Sequence, residues 1–120
     1  MSDGEWPLRR GDVVWAAPDP IVGREQQGRR PALIIAGHRY IERIGSLVIF
    51  LHITTRDRGW PSHVRLGGPE LTLEEASFAI TEQVRTIDRR RIIKHAGRVD
   101  ADTLTSIDRW LHDHLGLDAA

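Results

Sequence analysis

Three arginines, a carboxylate and two amides crowd into the stretch Gly23-Arg24-Glu25-Gln26-Gln27-Gly28-Arg29-Arg30-Pro31. A guanidinium presents a planar fork of donors that matches two oxygens of a phosphate, so this loop has the residue types for gripping a phosphodiester. Loops at strand ends are where rigid scaffolds present function. On composition alone a solvated hairpin loop is the plainer reading. A second group is His52-Ile53-Thr54-Thr55, which runs into Arg56 and puts two hydroxyls where an apolar strand emerges. Without context, β-branched residues filling a strand end account for it equally well. A third is Glu82-Gln83-Val84-Arg85-Thr86-Ile87-Asp88, followed by Arg89, Arg90 and Arg91. Strand alternation sets Glu82, Val84 and Thr86 on one face and Gln83, Arg85 and Ile87 on the other. An ordinary half-exposed strand with a basic end fits the same pattern.

Other chemistries find no residues. Neither a phosphate-binding glycine loop ending in Lys-Ser/Thr nor a dinucleotide fingerprint occurs. The chain has no cysteine, which removes disulfides, thiolate metal sites and thiol nucleophiles. His112 and His114 are two apart on a helical pattern, so their rings point to different faces and read as solvated. No cofactor or metal is expected.

The charge is balanced overall but unevenly spread. Residues 1–98 hold sixteen basic and twelve acidic side chains, a net +4, whereas residues 99–120 hold one and five, a net −4. Lys94 is the only lysine. Any positive surface for nucleic acid must therefore be local. Met1 to Pro7 lacks the basic start and apolar stretch of a signal peptide. The longest apolar run, Leu47 to Ile53, is interrupted by His52 and is too short to span a bilayer. A soluble cytoplasmic protein with no membrane partner is the expectation.

The elements that must position these groups are mostly short strands. With 120 residues, 40% hydrophobic and 28% charged, the chain suits one domain over 1–120, with residues 1–9 as a flexible extension. Asp12 to Ala17 reads as a strand that Pro18 and Pro20 end, and Pro31 to Ala36 as a second. Gly45 ends the next loop, and Ser46 to Thr54 is a strand whose continuous apolar run implies cover on both faces or a barrel interior. His63 to Leu66 is a brief strand, and Phe78 to Ile87 a longer one. Leu71 to Ala76 reads as a helical turn, with Thr72 and Glu75 spaced like a capping box. Arg89 to Ala96 reads as a short helix or turn. The clearest element is C-terminal: Asp100 as N-cap, Leu104, Ile107, Leu111 and Leu115 on one helical face, and Gly116 as the stop. The fold class is mainly β with helices: a small barrel or strongly bent sheet with one packed amphipathic helix.

Taken in order, these segments resemble the MazF/PemK family of toxins. Arg10-Gly11-Asp12-Val13-Val14-Trp15 is similar to the family's opening strand, and Gly23 through Pro31 to its signature loop. Ile53-Thr54-Thr55 is similar to its Ile-Thr-Ser/Thr strand end, Pro61-Ser62-His63-Val64 to its Pro-Thr-His-Val, and Glu82 through Asp88 to its late strand. The matches are collinear from Arg10 to about Arg91. One departure is His52, which stands where many relatives carry proline. The resemblance implies an SH3-like β-barrel assembled as a homodimer and held inactive by a cognate antitoxin. It implies a metal-independent endoribonuclease that cuts single-stranded RNA at short sequence motifs. The catalytic roles carry over to Arg30 and Thr54. Glu25, Gln26, Arg29, Thr55, Gln83 and Arg85 carry over as residues that shape the site or contact RNA. Trp60, an aromatic on a polar loop, suits base stacking. Trp6, Trp15 and Trp110 read as core or edge.

Such an enzyme would drive a ribose 2′-hydroxyl onto the neighbouring phosphate, leaving a 2′,3′-cyclic phosphate and a 5′-hydroxyl. His52 and His63 are rival candidates for proton transfer, with His63 ranked as structural. A gyrase poison of the same fold and a non-catalytic SH3-like binding module are the alternative functions; neither needs the Arg30 and Thr54 pair.

Overall fold

The computed structural model describes residues 7–17 and 28–117. The expectations for Trp6, Pro18, Pro20, Glu25 and Gln26 lie outside the described residues, as do residues 1–6 of the expected flexible extension. Leu8, in that same extension, is buried against the sheet. The elements are β1 (Asp12–Ala16), β2 (Arg30–Ile34), α1 (His38–Ile44), β3 (Leu47–Thr54), β4 (His63–Arg65), β5 (Phe78–Asp88), a 3-10 turn (Arg89–Arg91), β6 (Ile92–Arg98) and α2 (Ala101–Leu115).

The strands form one antiparallel sheet in the order β4-β5-β3-β2-β1-β6. Successive side chains of a strand point to opposite faces, and here both faces are covered. Val13 and its neighbour Val14 are each fully buried, one in each of two cores. The first core packs Val13, Leu33, Leu51 and Ala79 against Ile107 and Leu111 of α2. The second gathers Val14, Ile34, Val48, Phe50 and Ile92, with Tyr40 and Ile41 of α1 beside them. Burial on both faces explains the unbroken apolar run of β3.

The sheet is open and does not close into the expected barrel; β4 and β6 are its edges. The chain after β4 instead runs along the free edge of β6. Thr72 N–H donates to the Ala96 carbonyl at 3.2 Å, and Arg98 N–H to the Glu70 carbonyl at 3.4 Å. The edge is thereby covered without a seventh strand. Gly97 makes the approach possible. Its φ is +107°, and a Cβ there would sit 2.2 Å from the Glu70 carbonyl oxygen.

Three local readings are corrected by these contacts. The expected helical turn over Leu71 to Ala76 does not form, because the segment is held against β6; the Thr72 hydroxyl donates to Ala96 O at 2.8 Å instead of capping a helix. In Arg89 to Ala96 only Arg89–Arg91 turns, with Asp88 accepting from Arg90 N–H at 2.8 Å, and from Ile92 onward the chain is strand. His38–Ile44, read as loop, is a helix of seven residues. It is too short for apolar spacing to stand out, and none of its residues is fully buried.

The C-terminal helix forms as expected. Asp100 accepts from Thr103 N–H at 2.9 Å and from the Thr103 hydroxyl at 2.6 Å, and Gly116 ends the helix in the left-handed region. Ile107 and Leu111 face the core, but Leu115 is 63% exposed, because the apolar stripe leaves the sheet before the last turn. His114 is not merely solvated. Its Nε2 lies 3.0 Å from the hydroxyl of buried Thr81 on β5. An Arg10–Asp108 ion pair ties the chain just before β1 to the same helix.

Candidate active site

Antiparallel pairing builds the site. Along β2 and β3 the partners are Ala32 with His52, Leu33 with Leu51 and Ile34 with Phe50. Continuing that register by two residues sets Arg30, the first residue of β2, across from Thr54, the last of β3. On the other side of β3, Phe50 pairs with Arg85 and Val48 with Ile87. Alternation then gathers Arg30, Phe50, His52, Thr54 and Arg85 on one face of the sheet. Three chain segments far apart in sequence meet there.

A groove of about 350 Å³ opens on this face. Arg30, His52, Arg85 and Arg91 supply its polar lining, and Phe50 and Ile87 part of its apolar wall. Among the described residues no carboxylate lines it, and no ion pair among them engages Arg30 or Arg85. Such an arginine-rich lining attracts anions. Among the described residues no group of three or more His, Cys, Asp or Glu side chains is placed to hold a metal.

His52 is half-buried in the groove, its ring edge-on to Phe50 with centroids 5.1 Å apart. Burial lowers its pKa below the ordinary histidine value, and the positive charges of Arg85 and Arg30 lower it further. The ring is therefore neutral at pH 7. Thr54 is half-buried and does not line the groove itself. Its hydroxyl oxygen accepts from Arg56 N–H at 3.1 Å, which leaves the hydroxyl hydrogen to donate.

The other expected site residues divide around this centre. Gln83 is exposed on β5, in the stretch between Ala79 and Val84 where the pairing with β3 shifts register. Arg29 is exposed, its guanidinium 5.4 Å from the centroid of half-buried Trp15. Thr55 lines a second hollow with Trp15, Pro31, Lys94 and His95. Pro31 borders both hollows, so Thr55 is separated from the Arg30 groove by the start of β2. Trp60 is 55% exposed in the loop after β3, with the Arg58 guanidinium 5.9 Å from its ring centroid. Glu25 and Gln26 lie outside the described residues.

The rival histidines separate. His63 is buried, with Nε2 3.0 Å from Glu82 Oε2, while the Ser62 hydroxyl donates to Glu82 Oε1 at 3.0 Å. Burial works to raise the Glu82 pKa, but hydrogen bonds from backbone, His63 and Ser62 outweigh it and hold the carboxyl below its usual value. His63 is thus a strut between β4 and β5, outside the groove. His52 and Arg91 are the groove residues that sequence reading undervalued. Their membership depends on which strands pair, and no local signal carries that.

The chain matches other proteins over nearly its full length. It is 31% identical over 113 residues to the endoribonuclease EndoA of Bacillus subtilis, covering 92% of this chain and 96% of that protein. The MazE-MazF structure (Form-II) from Deinococcus radiodurans superposes with a TM-score of 0.76 at 29% identity, covering 93% of this chain and 98% of that one. The MazF structure (Form-I) from the same organism gives 0.73 at 28% identity, covering 93% and 99%. An endoribonuclease in complex with its cognate antitoxin from a mycobacterial species shares the fold, with a TM-score of 0.74 at 22% identity over 92% of this chain and 97% of that one. Residues 9–115, which hold every described groove residue, match one family model throughout. The chain belongs to the PemK-like, MazF-like toxins of type II toxin–antitoxin systems.

Proposed function

We propose that this toxin cuts single-stranded RNA at short sequence motifs, in the groove between β2, β3 and β5 and without a metal ion. Membership of the MazF/PemK family and the similarity to EndoA make it an endoribonuclease. The single observation that carries the mechanism is the composition of the groove: Arg30, Arg85 and Arg91, with no carboxylate among the described residues that line it. A guanidinium donates paired hydrogen bonds to the non-bridging oxygens of a phosphodiester and stabilises the extra negative charge that builds on phosphorus.

The reaction needs no outside nucleophile. The ribose 2′-oxygen attacks the adjacent phosphorus, the bond to the 5′-oxygen breaks, and the products are a 2′,3′-cyclic phosphate and a 5′-hydroxyl. Arg30 and Arg85 hold the phosphate so that attack and departure are in line, which is an orientation effect. Arg30 also donates toward the departing 5′-oxygen. The Thr54 hydroxyl, its oxygen already accepting from Arg56, donates to the charged phosphoryl group. Gln83, Arg29 and Thr55, together with Glu25 and Gln26, contact or position the strand. The toxin works as a homodimer in the cytoplasm, where its RNA is found, and a cognate antitoxin silences it by covering the site.

The test is purified, antitoxin-free protein incubated with long single-stranded RNA in excess EDTA, with fragment ends mapped. Discrete cuts with 5′-hydroxyl ends are expected. Arg30→Ala should lower the rate by at least about 10²–10³-fold, the usual cost of removing one donor to a developing oxyanion, with the melting temperature unchanged. Near-normal cleavage by Arg30→Ala would remove it from the site. Intact RNA across unrelated substrates would shift the function to gyrase poisoning or to binding without cleavage.

A further inference from the structure

The chemistry above leaves one proton unassigned. The 2′-hydroxyl must lose its hydrogen as it attacks. Arginine is a poor base, because its pKa exceeds about 12, and a threonine hydroxyl is no better. Among the described residues the groove offers one other titratable side chain. His52 stands on β3 opposite Ala32, with Arg30 from β2 and Arg85 from β5 as its charged neighbours and Arg91 of the 3-10 turn on the same groove. Among the described residues no carboxylate lines the groove beside it.

We infer that His52 is the general base of the cleavage, taking the proton of the 2′-hydroxyl while Arg30 and Arg85 hold the phosphate. This rests on the ribonuclease reading above. In the step, the bond from the 2′-oxygen to phosphorus forms and the bond from phosphorus to the 5′-oxygen breaks. The 2′ proton passes to a His52 ring nitrogen. The 5′-oxygen departs while accepting a hydrogen bond from Arg30 and takes its proton from water, to which His52 then returns its own, so the ester exchange balances and Arg30 stays protonated throughout. The surroundings suit the role. Burial and two guanidiniums keep the free ring neutral at pH 7. Once the phosphate is seated, its negative charge offsets those guanidiniums and eases protonation of the ring in the transition state. The position is one of departure from the family resemblance, so this base is a property of the present chain.

The experiment is the pH dependence of kcat on a short RNA spanning one mapped cut site, for the wild type and His52→Gln. Two versions of the RNA are used: one with a normal 5′-oxygen leaving group and one with sulfur in that bridging position. In the wild type, kcat falls about tenfold per pH unit once the pH is low enough to protonate His52 in the bound complex. His52→Gln should lose about 10²–10⁴-fold in kcat, the usual range for a general base, with KM and melting temperature little changed and without the acid limb. Sulfur leaves without protonation, so it would rescue the variant if His52 were an acid; a base gains nothing from it. Three results overturn the proposal: a variant with wild-type kcat, a variant that keeps the acid limb, or rescue by the sulfur substrate. If the variant fails to fold, the wild type alone decides, since a flat acid profile excludes His52. A wild type that leaves every RNA intact is a different failure, that of the ribonuclease reading itself.

Discussion

Single residues set what the groove recognises and what it does. Arg30 and Arg85 reach it from strands on either side of β3 and in the proposed reaction hold the phosphate, while His52 and Thr54 belong to β3 between them. Sequence preference belongs to side chains outside the groove that meet bases. Trp60 is the exposed aromatic of the loop after Thr54, and Arg58 beside it adds a charge. Stacking of a base on such a ring contributes about 1–3 kcal/mol and tolerates any base, so loop shape must add the discrimination. Trp60→Ala should therefore raise KM for a short RNA about tenfold or more and broaden the mapped cleavage motif, with kcat little changed. Identical motifs and KM in the two proteins would remove Trp60 from the RNA path.

Elements matter because the site has no sequence-local part large enough to stand alone. The walls of the groove come from β2, β3 and β5 and the turn after β5, held by two cores on opposite faces of one sheet. The open edge at β6 is the weak point, and the segment after β4 protects it through the close approach at Gly97. Gly97→Ala forces a methyl against the Glu70 carbonyl and a positive φ on a residue with a Cβ. The cost is that of overpacking plus backbone strain, about 1–3 kcal/mol each. Urea denaturation should show a loss of at least about 2 kcal/mol on those principles, whereas Gly59→Ala, also at positive φ but with open space around it, should cost less. Equal losses would mean that the edge contact contributes nothing.

For the whole molecule, a formal charge of zero hides a division that suits its task. Arginines converge on one groove, and the acidic surplus is carried by the C-terminal segment. RNA binding should weaken with salt as counterions are released, with a log–log slope of about −0.7 for each phosphate neutralised on a single strand. Arg85→Ala should reduce the magnitude of that slope by about 0.7. Filter binding at several salt concentrations, with a 2′-deoxy substitution at the cut site to prevent cleavage, reads this directly. An unchanged slope would place the strand away from Arg85. No helix among the described residues is long and apolar enough to cross a membrane.

Much was legible in the chain alone. Apolar periodicity marked β1, β3, β5 and α2, and the Asp100 cap and Gly116 stop bounded the last helix, because these depend on neighbours a few residues apart. The collinear motifs carried the family. Tertiary contact decided the rest. Whether Leu71 to Ala76 coils or lies flat depended on the free edge of β6, which the segment cannot sense locally. Seven-residue α1 carried too little pattern to outweigh a loop reading. His52 could be weighed as a base from its residue type, but its place between two guanidiniums exists only through pairing with β2 and β5. The register joins Ala32 to His52, twenty positions on, and Phe50 to Arg85, thirty-five positions on, and no local preference encodes that pairing; the burial of both sheet faces selects it.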